Sequence, residues 1–113
     1  MPTHAEFEQM IRDALAAIPQ ELRDEISNVE IVIDDDPPAD PHILGLYEGV
    51  PLTRRTRWYS SLPDRITIYR SQLERFYGTD RDVLEPQVRR VVWHELAHHF
   101  GISDERLVEI DRY

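Results

Sequence analysis

The chain has 113 residues and carries 22 Asp and Glu against 13 Lys and Arg, for a formal charge of −9. A length of this order suits one domain built around one core, and the acidic balance argues against general affinity for nucleic acid or an anionic membrane, where a basic field is the usual footprint. There is no cysteine, which excludes disulfide scaffolds, thiolate metal sites and thiol nucleophiles.

The first ten residues lack the basic start and apolar stretch of a secretory signal. No run approaches the roughly 18 apolar residues of a membrane span. The expectation is a single cytoplasmic domain over residues 1–113, with no nucleic-acid or membrane partner and an open oligomeric state.

Thr3-His4-Ala5-Glu6 has the form of a capping box. Phe7, Met10, Ile11, Ala14, Leu15 and Ile18 then recur at helical spacing, and Pro19 closes a first helix over roughly residues 4–18. Residues 21–25 suit one more helical turn. Residues 29–33 (VEIVI) alternate and are β-branched, which predicts a strand. The acidic, proline-rich run at residues 34–41 can form neither ladder nor helix and reads as a solvated loop. It lacks the glycine and distal Glu of a calcium-binding loop. A short strand is expected at residues 43–49. The cluster Arg54, Arg55, Arg57, Trp58 and Tyr59 follows, and its arginines suit pairing with the acidic loop. Leu62-Pro63-Asp64 reads as a turn, residues 65–70 (RITIYR) as a third strand, and residues 71–77 as a helical turn.

The longest periodic segment runs from about residue 82 to 100, with Val83, Leu84, Val88, Val91, Val92, Leu96 and Phe100 as its apolar positions. Pro86 points to a helix proper beginning nearer Glu85, and Gly101 suits the residue just past its end. Residues 103–110 could add a last short helix.

Late in that helix stands His94-Glu95-Leu96-Ala97-His98, or H-E-x-x-H. Residues i and i+4 lie one above the other on a helix, so His94 and His98 can aim both imidazoles at one point. Zinc takes such nitrogens at about 2.0–2.1 Å in a tetrahedron. Glu95 sits about 100° around the helix from His94, beside the metal position, where it can act as a general base on water. Catalytic zinc sites use three protein ligands plus water. The segment continues through Gly101 to Asp104, giving H-E-x-x-H-x-x-G-x-x-D. The glycine lets the chain turn out of the helix and bring position 104 back toward the metal. The extended metzincin pattern has the same glycine with His at the last position, and a carboxylate oxygen is an acceptable substitute.

With this composition H-E-x-x-H alone arises in roughly two per cent of shuffled sequences, and the added Gly and terminal His or Asp cut that to about one in ten thousand. Glu105, Glu109 and Asp111 compete with Asp104 for the third position, Glu109 foremost among them. His99 lies about 140° around the helix from His94, so it belongs to a supporting or core role. His4 and His42 read as surface residues.

Three stretches, residues 44–55, 62–70 and 94–107, resemble the small bacterial zincin-like metallopeptidase family, the last most specifically. The resemblance implies an α+β minimal zincin fold: a small mixed sheet of about three strands, an N-terminal helix and an active-site helix carrying HExxH. It implies zinc held by His94, His98 and Asp104, Glu95 as general base, and a peptide or protein substrate. Zincins commonly bind substrate as an added strand beside the active helix, and residues 65–70 are the expected edge. Tyr47, Tyr59, Tyr69 and Arg57 are all candidates for an oxyanion donor. The alternative is a zinc-binding or interaction module without turnover. The methionine turn of metzincins has no counterpart here, Met1 and Met10 being the methionines, and the sequence ends soon after Asp104. A third class, a metal-dependent ribonuclease on an H-x-x-x-H frame, is opposed by Glu95 and the acidic charge.

Overall fold

The computed structural model describes residues 2–24, 26, 28–50 and 63–101. Helix α1 (His4–Ala16) opens on the expected capping box. Glu6 N–H donates to Thr3 Oγ1 at 3.1 Å, and Thr3 N–H donates to the Glu6 carboxylate at 3.3 Å. The pair satisfies two backbone donors that the first turn leaves without helical partners. Phe7, Met10, Ile11 and Ala14 form its buried stripe, and Ile18 stays buried although the helix stops before it. Pro19 then caps the short α2 (Gln20–Arg23).

Strands β1 (Val29–Asp34), β2 (Gly45–Glu48) and β3 (Asp64–Tyr69) form a mixed sheet in the order β1-β3-β2. β1 runs parallel to β3, with Ile31 opposite Ile66 and Ile33 opposite Ile68. β2 runs antiparallel to β3, with Gly45 opposite Ile68 and Tyr47 opposite Ile66. The strand expected at the edge is therefore the central one. Its alternation of Arg65, Thr67 and Tyr69 with isoleucines resembles a half-exposed strand, but Thr67 and Tyr69 are buried along with Ile66 and Ile68. Among the described residues, the strand at the sheet edge beside the long helix is β2.

Helix α3 (Arg70–Tyr77) follows β3 directly and ends at Gly78. Helix α4 (Arg81–His99) starts earlier than Pro86 suggests, because the Asp80 carboxylate accepts from Asp82 N–H at 2.9 Å and caps it. Pro86 thus sits inside the helix, and the missing N–H falls over exposed Asp82, whose carbonyl can turn to water.

Side chains alternate across a strand, so Asp64, Ile66 and Ile68 share one face with Gly45 and Tyr47, and that face meets α4. Phe7, Met10, Ile66, Ile68, Leu73, Leu84, Val88 and Val92 fill the core between sheet and helices. Trp93 Nε1 donates to the Ala14 carbonyl at 2.9 Å, tying α4 to α1. Among the described residues no helix is long and apolar enough to cross a membrane.

Candidate metal centre

The core stripe of α4 holds Leu84, Val88, Val92 and Leu96 in the interior. That fixes the helix's rotation and leaves His94 and His98 half-buried at the side of the stripe. Their ring centroids lie 5.1 Å apart at an interplanar angle of 78°. A nitrogen of each imidazole and a carboxylate oxygen of Glu95 all lie within 4.8 Å of one another. This set could hold a metal ion, and its chemistry fits a borderline cation such as zinc.

Glu95 is buried, and β2 passes close beside it. A Cβ on Gly45 would stand 3.2 Å from Glu95 Cγ and 2.8 Å from Val91 Cγ1. Absence of a side chain at position 45 is what lets the edge strand approach the helix this closely.

Past His99 the helix ends as anticipated. Gly101 takes φ +85°, the left-handed region glycine enters without steric penalty, and its N–H donates to the His98 carbonyl at 2.9 Å. Beyond it lie Asp104, the expected third ligand, and its competitors Glu105, Glu109 and Asp111, all outside the described residues. The same holds for the arginine–aromatic cluster with Arg57 and Tyr59, and for the expected last helix.

His99 is completely buried, with its ring against those of Tyr47 and Phe100. Its Nδ1 lies 2.7 Å from Oδ2 of Asp64, also completely buried. Tyr47 O–H donates to the same oxygen at 2.6 Å, and Val50 N–H reaches Oδ1 at 3.3 Å. Asp64 is the residue that reading the sequence missed, being absorbed into a turn with Pro63. One signal was available: extending the alternation of Ile66 and Ile68 back by two puts Asp64 on the apolar face, where a carboxylate needs partners. Two oxyanion candidates are accounted for. The Tyr47 phenol is engaged with Asp64. Tyr69 lies on the other face of β3, and burial, with Asp34 and Glu48 adding negative charge nearby, raises its phenol above the usual range and keeps it protonated. His4 pairs with Glu8 at the surface at 3.0 Å, and His42 is exposed.

A model of the zincin-like metallopeptidases matches residues 24–113, most of the chain. The chain belongs to this family. The four helices and three-stranded mixed sheet of the described residues agree with an α+β zincin-like fold. Comparison with curated proteins gives no match. Family membership and the His94–Glu95–His98 group together make the end of α4 the candidate site.

Proposed function

We propose that this family member is a single-domain, zinc-dependent peptidase in which His94, His98 and Asp104 hold the metal and Glu95 is the general base. The observation that carries the reading is the convergence of His94, Glu95 and His98 at the end of α4. Zinc bound there would supply Lewis acidity toward water and the scissile carbonyl. Glu95 takes the proton released as water oxygen bonds to the carbonyl carbon, then delivers it to the amine nitrogen as the C–N bond breaks. Its burial beside Gly45 restricts where that carboxylate can move, which suits a base that must act on both proton transfers.

Among the described residues β2 is the sheet's edge strand and lies beside Glu95, which supports extended peptide as the substrate form, since such an edge can take up a further strand. With the Tyr47 phenol engaged by Asp64, Arg57 and Tyr59 are the oxyanion donors we favour. Purified protein should carry one equivalent of zinc and cleave members of a peptide library. Cleavage should vanish with a chelator and return with added zinc. One equivalent of zinc without cleavage of any library peptide would instead establish the binding module without turnover.

A further inference from the structure

Asp64 takes no part in the proton transfers proposed above, yet three donors from three parts of the fold converge on it: Tyr47 of β2, Val50 beyond that strand, and His99 of α4. The His99 ring and the Asp64 carboxylate are both completely buried and meet at 2.7 Å, a side-chain hydrogen bond sealed from water. Among the described residues His99 Nε2 is buried without a hydrogen-bond partner. Asp64 is therefore the polar group that sets the orientation of the His99 ring.

His99 is the last residue of α4 and follows His98 directly. The closing turn of a helix has carbonyls without helical partners and frays readily. Fraying there would carry His98 out of its i, i+4 relation to His94. Fixing the His99 side chain in the core prevents that movement. Asp64 also acts from the side, since the Tyr47 ring that it anchors lies 6.4 Å from the His98 ring and 6.3 Å from the His99 ring. Position 49 completes the arrangement, where a Cβ would fall 2.4 Å from Asp64 Cγ.

We infer that Asp64 is a positioning residue for the metal centre, holding the last turn of α4 through His99 and the wall beside His98 through Tyr47. This rests on the proposed metal reading, and zinc affinity and the visible spectrum of the cobalt-substituted protein test it without recourse to activity. Asp64→Asn keeps the shape and replaces one of the two carboxylate oxygens, on which Tyr47, Val50 and His99 converge, with an amide nitrogen. It should weaken zinc by about ten- to a hundred-fold, the range known for partners that orient metal-binding histidines, and shift the cobalt bands while the metal-free protein keeps its helical circular dichroism. Tyr47→Phe keeps the ring and should shift the same bands with a smaller loss of affinity. It also serves as the test should Asp64→Asn fail to fold. His94→Ala is the reference. If it abolishes zinc binding while Asp64→Asn or Tyr47→Phe leaves both affinity and spectrum unchanged, the positioning role is overturned and the metal reading stands. If His94→Ala binds zinc as tightly as the parent, the metal reading fails and this inference falls with it.

Discussion

Gly45→Ala probes the contact between β2 and α4. The added methyl would stand 2.8 Å from Val91 Cγ1, 3.2 Å from Glu95 Cγ and 3.2 Å from the Thr67 carbonyl oxygen. Carbon atoms prefer separations of about 3.5–4.0 Å, so Val91 must give way by roughly 0.7 Å or more. Thr67 belongs to the central strand and cannot move with it. Overpacking of this kind costs about 1–3 kcal/mol, which at about 4–8 °C per kcal/mol for a domain near this size lowers Tm by roughly 4–24 °C. Relief by pushing the helix side chains away also moves Glu95, and a displacement of about 1 Å at a reacting group can cost about a hundred-fold in rate. Neither His94 nor His98 supplies one of the three atoms nearest that methyl, so zinc affinity should stay within a few-fold of the parent. Thermal unfolding, zinc titration and kcat for a cleaved peptide separate these effects. Parent-like Tm and parent-like kcat together would refute the close approach of β2 to Glu95.

Phe7→Ala empties a fully buried site in the core between α1 and the sheet. It should cost about 3–5 kcal/mol, read from urea unfolding, with zinc stoichiometry intact in the fraction that remains folded. Asp104→Ala should weaken zinc far more than Glu109→Ala, and competition against a chromophoric chelator will rank them; the reverse order would move the third ligand to Glu109.

Helix α1, its capping box and the end of α4 at Gly101 could be read from sequence because each depends on local chemistry: a side chain meeting a backbone group three residues away, or a glycine entering a left-handed turn. His94, Glu95 and His98 were legible for the same reason, since one helix turn brings them together. Strand order was not. Nothing in residues 65–70 records that β1 and β2 flank them, and Thr67 and Tyr69 look suited to an exposed face that the fold buries. The start of α4 was misjudged because Pro86 outweighed the Asp80 cap, although exposed Asp82 tolerates the lost hydrogen bond. The Asp64 cluster joins residues 17 and 35 positions apart. Only the folded chain reveals it, apart from the parity that places Asp64 on the apolar face of its strand.

The central claim is that Glu95 moves protons at a zinc held by His94 and His98. Its most direct test is peptide cleavage by zinc-loaded parent and Glu95→Gln proteins at matched metal content. Glutamine keeps the shape and removes the basic oxygen, so zinc should still bind while cleavage falls by about 10²–10⁴-fold, the usual contribution of a positioned general base. Cleavage by Glu95→Gln at the parent rate would contradict the account.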